Sequence, residues 1–291
     1  MPGSFQRSLC QAKNCNFLCQ NNPLFRFSIR SFQRCWAVVL VLACFLSSAM
    51  GQAPSGLVQP KAPRFNVLAV AESGGHHIAF TRAARPWLLK CGEANGFSID
   101  FVTNMASVTS TMLTNYRVIL QLDFPPYGWP PEAASAFKSY IEQGRGGWVG
   151  LHHAALLGDF DGYSMWPWFS DFLGGIRFKT YIPTFVAGTV HVEDKLHPCM
   201  KGLPDSFIIQ REEWYTFNHS PRPNVHVLAS VDESSYVPDS PVRMGDHPVV
   251  WTNDHVPARN VYIFMGHGPD LLENKSYTTL LLNAILWASG K

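Results

Sequence analysis

Two adjacent histidines end a short apolar run in the stretch GGWVGLHHAAL, residues 146–156. A strand that delivers a reactive side chain at its carboxyl end is a common way to build an active site, but the usual Ser or Cys nucleophile is missing here. Imidazole titrates at about pH 6.5, which suits proton transfer or metal ligation better than covalent catalysis. Side chains alternate along a strand, so we expect His152 to face the site and His153 to be mainly structural.

More histidines stand beside glycines elsewhere in the chain. His76 and His77 follow a pair of glycines, and we expect one of them to be functional and the other to cap a helix. His267 lies between two glycines that leave it accessible. We therefore predict His152, His267 and His77 as catalytic residues, with His76 and His153 as substrate-binding residues.

A carboxylate stands beside aromatic residues in REEWYTF, residues 211–217. Glu213 and Tyr215 are two apart, so on an extended segment they face the same side. A Glu near a His can transfer protons or orient the imidazole, and an aromatic ring can stack on a sugar. We predict Glu213 as catalytic, and Trp214, Tyr215 and the strand-ending Asp123 as substrate-binding. The alternative is a solvated charge run beside a core aromatic.

These side chains together would form a His-rich pocket with a carboxylate, a composition that can bind Zn²⁺ or another divalent metal. No two of them stand at a short metal-binding spacing such as His-x-x-x-His. Cys91 and Cys199, the cysteines beyond residue 51, belong to no Cys-x-x-Cys pattern. No cofactor is therefore predicted, and a divalent metal stays an open alternative.

Strands and helices alternate in the part of the chain that carries these residues. We predict strands at 65–70, 97–102, 116–122 and 148–151 and helices at 76–95 and 130–143. This pattern implies an α/β fold with a doubly wound, mostly parallel, flavodoxin-like sheet. Ligands bind such sheets beyond the carboxyl ends of the strands, where residues 72–77, Asp123 and His152 fall. After Gly175, short strands are added, and a helix over 277–289 closes the chain.

The N-terminal part differs in composition from the rest. Residues 1–51 hold five basic and no acidic residues, which leaves 18 basic and 21 acidic residues after them, a net charge of −3. The remainder thus has no basic excess for nucleic-acid binding. The apolar run 35–46 is typical of a signal peptide and too short for a transmembrane helix. We predict cleavage near Gly51 and export to the periplasm or medium, with a lipoprotein anchored at Cys44 as the alternative.

Seven stretches in order resemble the ThuA-like family, named for trehalose utilisation, whose members are similar in fold to class I glutamine amidotransferases. They cover residues 65–290 and read AVAESGGHH, GGWVGLHHA, FLGG, VEDKLHPCMKGLP, REEWYTF, PVVW, and FMGHG with AILWASG. The chain departs from the family pattern at Lys179–Tyr181, where a His is usual. The predicted organisation is a leader (1–51), a Pro-rich linker (52–63) and a ThuA-like domain (64–291).

The resemblance implies an exported enzyme of sugar utilisation that acts on a disaccharide or a 3-keto-glycoside. A ketone at C3 acidifies the C2 proton, so His or Glu could catalyse elimination, isomerisation or hydrolysis without a nucleophile. Two alternatives stay open: a metal-dependent hydrolase, and a non-catalytic sugar-binding or interaction domain with an aromatic groove lined by Trp166, Trp168, Trp214 and Tyr215. The expected partner is a small carbohydrate, and a homo-oligomer is possible.

Overall fold

The computed structural model describes residues 62–290 of the chain. The predicted leader, its cleavage near Gly51, the lipid alternative at Cys44 and the linker up to residue 61 lie outside the described residues. The first strand begins at Phe65. Among the described residues, no helix combines the length and the apolar character that a membrane crossing requires.

Within residues 62–290, eleven strands and five α-helices alternate in the first half and give way to mainly strands in the second. The strands are β1 Phe65–Ala71, β2 Phe97–Val102, β3 Val118–Leu122, β4 Gly147–Leu151, β5 Phe178–Tyr181, β6 Val186–Val192, β7 Ser206–Glu212, β8 Tyr215–Phe217, β9 His226–Val237, β10 Pro248–Thr252 and β11 Asn260–Ile263. The helices are α1 Ile78–Asn95, α2 Ser110–Leu113, α3 Pro131–Glu142, α4 Pro167–Phe172 and α5 Lys275–Ala288.

Helix boundaries follow from a few residues. Gly96 ends α1 in the left-handed conformation (φ 73°), which costs glycine little, and its N–H donates to the carbonyl of Gly92. Pro131 occupies the first turn of α3, where no N–H is needed. The Asn274 side chain accepts hydrogen bonds from two N–H groups of the first turn of α5.

A nine-stranded sheet has the order β2-β1-β3-β4-β11-β10-β9-β6-β7. The pairs from β2 to β11 are parallel, so these five strands have the 2-1-3-4-5 order of a flavodoxin-like sheet with β11 as the fifth strand. The α/β class, the parallel half and the added short strands are as the sequence predicts. The whole sheet is mixed, because the pairs from β11 to β7 are antiparallel.

Strand β4 is buried on both faces of the sheet. A side chain at Gly147 would collide with Ala288 of α5, whereas the neighbouring Trp148 packs on Phe169 and Phe172 of α4 on the other face. Helices thus cover both faces, as in a doubly wound fold. The long excursion between β4 and β11 also forms a separate two-stranded sheet of β5 and β8.

Candidate active site

The candidate site lies beyond the carboxyl ends of four parallel strands. Glu72 follows β1, Asp123 follows β3, His152 follows β4, and His267 comes four residues after the end of β11. In the 2-1-3-4-5 order, β1 and β3 flank the point where the order of the strands reverses, which is where ligands bind such sheets. The residue after β7, Glu213, is added from the antiparallel half.

His152 is fully buried and adopts a left-handed backbone conformation (φ 43°). Its Nδ1 lies 3.0 Å from the carbonyl oxygen of Phe264, an acceptor only, so Nδ1 carries the proton. Its Nε2 is then an acceptor and lies 2.7 Å from the hydroxyl of Tyr215. Burial lowers the pKa of His152 well below its usual range, and the neighbouring imidazoles add to this effect. A non-glycine residue at positive φ directly after a strand resembles a nucleophile elbow in backbone geometry, with an imidazole in place of the nucleophile.

Glu213, His267 and His77 form a compact group beside this pair. The Glu213 carboxylate lies 3.4 Å from Nδ1 of His267 and 3.9 Å from Nε2 of His152. Nε2 of His77 lies 3.2 Å from the same Nδ1 of His267. One atom from each of His77, His152, Glu213 and His267 lies within 4.8 Å of the others, which is close enough for a shared metal ion.

Glu72 lies close to both His77 and His153. Its carboxylate lies 3.9 Å from Nδ1 of His77 and 3.8 Å from Nδ1 of His153. Burial alone would raise the pKa of Glu72, but His153 and His77 outweigh it and lower the pKa to about 2. Burial lowers the pKa of His77 to about 4. At neutral pH the carboxyl is therefore ionised and His77 is neutral.

Two further carboxyl groups lie beneath the site. Glu212 is fully buried and accepts hydrogen bonds from the N–H groups of Glu213 and Gly266, and burial raises its pKa to about 7. Asp123 is also fully buried, lies at φ 51°, and its two oxygens have no hydrogen-bond partner among the described residues. Burial raises the pKa of Asp123 well above its usual range, and the nearby charge of Glu212 adds to the shift.

A cavity of about 550 Å³ opens over the group. His76, His77, His153, His267 and Glu213 line one part of it. Aromatic side chains form most of the remaining wall: Tyr127, Phe160, Phe178, Tyr181, Phe185 and Tyr215. The volume is in the range of about 300–1,000 Å³ that is usual for small-molecule sites.

The family model for ThuA, described as trehalose utilisation, matches residues 66–288 of the chain. The chain belongs to the ThuA family. It is similar to a ThuA-like protein from Bacteroides uniformis, with 34% identity and a TM-score of 0.70 over 79% of this chain and 93% of that one. A ThuA-like protein from Parabacteroides merdae shares the fold, with 22% identity and a TM-score of 0.59 over 79% of this chain and 91% of that one. No curated protein is detectably similar to the chain.

This ThuA-family structure changes the predicted roles of the two histidines after β4. His153 lines the cavity, whereas His152 is buried behind Tyr215 and contributes only its Nε2 to the group. The expectation that His152 faces the site and His153 is mainly structural was therefore wrong. The cause is that the chain turns into a short 3-10 helix at His152, so the alternation of a strand does not continue there.

Trp214 and Asp123 do not reach the cavity either. Trp214 is fully buried in the core, where its Nε1 donates to the carbonyl of Val186, so it offers no surface to a sugar. An aromatic groove that includes Trp214 cannot form for the same reason. Asp123 lies against Gly266 below the cavity floor. The sequence patterns do not indicate how deep these two segments lie, and neither residue belongs to the cavity wall at which substrate binding was predicted.

The remaining predicted residues come together as a group. His77, His267, Glu213 and Tyr215 line the cavity, and His76 lies exposed at its edge. His77 occupies the residue before α1 but makes no capping hydrogen bond, and neither histidine caps the helix with its side chain. Glu72, which directly follows β1, and Glu212, the last residue of β7, were not predicted from the sequence, although residues close to both were.

Proposed function

We propose that this ThuA-family protein is an exported, carbohydrate-processing enzyme that performs acid/base chemistry on a 3-keto-glycoside or a related disaccharide. The observation that carries the proposal is the pair of Glu213 and His267, 3.4 Å apart in the wall of a cavity that is otherwise largely aromatic. A carboxylate beside an imidazole is a typical arrangement for proton transfer, and it needs no nucleophile.

The chemistry begins with the proton on C2 of the sugar, which the C3 ketone acidifies. A base takes that proton, the bond between C1 and the glycosidic oxygen breaks, and an acid protonates the departing oxygen. The products are an unsaturated keto-sugar and an alcohol, so atoms and charges balance without water. If the proton returns to a different carbon instead, the result is an isomer.

The geometry supports His267 as the base. Glu213 and His77 both face its Nδ1, and its Nε2 makes no hydrogen bond within residues 62–290. A carboxylate that accepts from one ring nitrogen fixes the tautomer and leaves the other nitrogen free to accept a proton. Glu213, half-buried at the cavity wall, is the second group that can hold a proton there.

The Tyr215 hydroxyl is a hydrogen-bond acceptor for a ligand in the cavity, because its own proton is donated to Nε2 of His152. Burial raises the pKa of its hydroxyl well above the usual range, and the charge of Glu213 adds to the effect, so the group keeps its proton. His152 accepts from that hydroxyl and acts as a positioning residue. His77 is neutral, which suits a substrate-binding or basic role better than that of a cationic acid.

Aromatic walls favour a sugar over a more highly charged substrate. Phe185 packs against His267 at 4.7 Å between ring centroids and is 40% exposed, so a ligand can contact it. Aromatic planes pack well on the C–H faces of a sugar ring. The family's description as trehalose utilisation agrees with such a ligand.

A panel of glycosides tests the proposal directly. The full chain is incubated with matched plain and 3-keto forms of trehalose and of simple glycosides, and the products are identified by mass spectrometry and NMR. We expect turnover of the keto forms, with exchange of the C2 proton for deuterium in D₂O. Absence of both turnover and exchange with every keto-glycoside would refute the proposal.

Export is a separate part of the proposal. The apolar run 35–46 after Arg34 and the small residues before Gln52 support it. Expression of the full chain with its leader in a bacterium, followed by fractionation and N-terminal sequencing, is the test. We expect a mature N-terminus close to Gln52 outside the cytoplasm; an intact leader on cytoplasmic protein would contradict export.

A metal-dependent hydrolase is the second candidate, because the histidine and carboxylate atoms converge closely enough to share an ion. The two candidates differ in their products. A hydrolase consumes water and cleaves plain glycosides as well, so incorporation of ¹⁸O from labelled water into the sugar together with cleavage of plain trehalose would favour it over elimination.

A further inference from the structure

Three buried polar atoms beside the cavity have no hydrogen-bond partner among the described residues: Oε2 of Glu72, Nδ1 of His77 and Nδ1 of His153. A buried polar atom without a partner costs about 1–3 kcal/mol, and such atoms are rare in folded proteins. Here three of them belong to neighbouring side chains. Such a concentration indicates that the three groups serve a ligand.

The three side chains converge on one point. Oε2 of Glu72 lies 3.9 Å from Nδ1 of His77, and Oε1 of Glu72 lies 3.8 Å from Nδ1 of His153. All three residues can offer an atom within 4.8 Å of the others. Ligand atoms about 2.1 Å from a tetrahedral ion lie about 3.4 Å apart. The distances of 3.9 Å and 3.8 Å therefore need to shrink by only about half an ångström.

We propose that Glu72, His77 and His153 bind one divalent transition-metal ion, of the kind typified by Zn²⁺, Co²⁺ or Mn²⁺. Two imidazoles and one carboxylate are a usual ligand set for a catalytic ion that keeps open positions. His77 and His153 both line the cavity, so those positions face the space that the substrate would occupy. The inference goes beyond the proposed function and does not depend on the substrate being a sugar.

A second set of atoms in the same site, from His77, His152, Glu213 and His267, lies at comparable distances. Its atoms, however, are already paired. Nε2 of His152 accepts from the Tyr215 hydroxyl at 2.7 Å, and Nε2 of His77 lies 3.2 Å from Nδ1 of His267. An ion there would have to displace these contacts, whereas the set around Glu72 gains partners that it lacks.

Titration of the chelator-treated full chain with Co²⁺ tests the inference, followed by absorption spectroscopy and calorimetry, with Zn²⁺ as competitor. We expect one ion per chain. Glu72→Gln and His153→Asn should each weaken binding by at least about 100-fold, since even groups behind the ligands cost about 10–100-fold. Glu213→Gln should change the affinity only slightly, as should His191→Asn, an exposed histidine on β6 that serves as the matched control.

A crystal soaked with Zn²⁺ and measured at the zinc absorption edge provides a readout that needs no variant. We expect one anomalous peak within bonding distance of Glu72, His77 and His153.

The inference is overturned if the wild-type chain binds no ion, if Glu72→Gln and His153→Asn bind as tightly as wild type, or if only Glu213→Gln removes binding. The last result would place the ion in the other set. None of these outcomes bears on the turnover of keto-glycosides, so failure here is distinct from failure of the proposed function.

Discussion

The hydroxyl of Tyr215 donates a hydrogen bond of 2.7 Å to Nε2 of the fully buried His152. The opposite ring nitrogen is fixed by the carbonyl of Phe264, so the imidazole has one tautomer and one orientation. The bond links the end of β4 to the start of β8, two segments that are far apart in sequence. This hydrogen bond therefore fixes the position of Tyr215, which lines the cavity.

A double-mutant cycle measures this link. Tyr215→Phe leaves the acceptor on His152 unpaired, and His152→Asn removes the acceptor while tolerating the left-handed backbone. We expect each single variant to lower the free energy of unfolding by about 1–3 kcal/mol in urea denaturation. The double variant should lose less than the sum, with a coupling energy of about 1 kcal/mol.

Additive losses in that cycle would show that the two groups do not interact. Tyr236→Phe is a matched control, because its hydroxyl also lies near a buried histidine, 3.2 Å from Nδ1 of His247, but outside the cavity. Tyr236→Phe should destabilise the fold to a similar degree and leave turnover unchanged. Tyr215→Phe should lower turnover as well.

Replacement of Glu213 by Gln should separate catalysis from folding. The change keeps the size of the side chain but removes the charge that faces Nδ1 of His267 at 3.4 Å. We expect kcat on a keto-glycoside to fall by about 10²–10⁴-fold, the usual contribution of a proton-transfer group, with KM little changed. Far-UV circular dichroism and thermal unfolding check that the variant is folded.

The control for this variant is Glu132→Gln, which removes an exposed carboxylate in the first turn of α3, away from the cavity. It should retain wild-type kcat. Equal kcat for Glu213→Gln and wild type would remove Glu213 from the proposed chemistry.

Local sequence patterns predicted the parallel half of the fold well. Strand β2 begins and ends at the predicted residues, and β1, β3 and β4 differ by one or two residues at their ends. In this part of the chain, the apolar runs that predict strands lie within a few residues of the glycines and prolines that mark their ends. The sequence signal for each element is therefore local. The rule that ligands bind beyond the carboxyl ends of parallel strands then brought His77 and His152 together.

The rest depended on contacts that are distant in sequence. The short strands β5 and β8 pair only with each other, and their segments have no strong strand pattern of their own. Which member of a pair such as His152 and His153 faces the cavity depends on where β4 turns into the 3-10 helix. The depth of Trp214 is likewise set by β6, by Tyr236 of β9 and by Phe264 after β11, which contact it from elsewhere in the chain, and this is not visible in REEWYTF.

The buried carboxyl of Glu212 should make stability depend on pH. Burial raises its pKa in the folded protein to about 7, above the ordinary value of 4.5 in the unfolded chain. The folded state therefore holds this proton more tightly than the unfolded chain does. This binding stabilises the folded state below about pH 4.5, and the stabilisation is lost as the pH rises through about 7. Relative to Glu212→Gln, wild type should lose up to about 3 kcal/mol of unfolding free energy across that range.

Urea denaturation of both proteins at several pH values measures the difference. His77 contributes with the opposite sign, because its lowered pKa adds stability as the pH rises from about 4 toward 6.5, but this contribution is common to both proteins. Parallel pH profiles for wild type and Glu212→Gln would contradict the raised pKa.

Gly266 lets the segment after β11 approach the floor of the site closely. A Cβ added there would lie 2.6 Å from Oδ1 of Asp123 and 2.7 Å from Cβ of His152, and the latter atom is attached directly to a buried backbone that cannot retreat. Gly266→Ala should therefore cost about 1–3 kcal/mol, as overpacked cores do. For a domain of this size the melting temperature should fall by about 2–4 °C per kcal/mol.

Gly74→Ala is the matched control: its added Cβ meets no atom within 4 Å, and its unfolding free energy should stay within about 0.5 kcal/mol of wild type. Calorimetry on the three proteins decides the matter, and a melting temperature of Gly266→Ala equal to that of Gly74→Ala would show that the floor can relax around a methyl group.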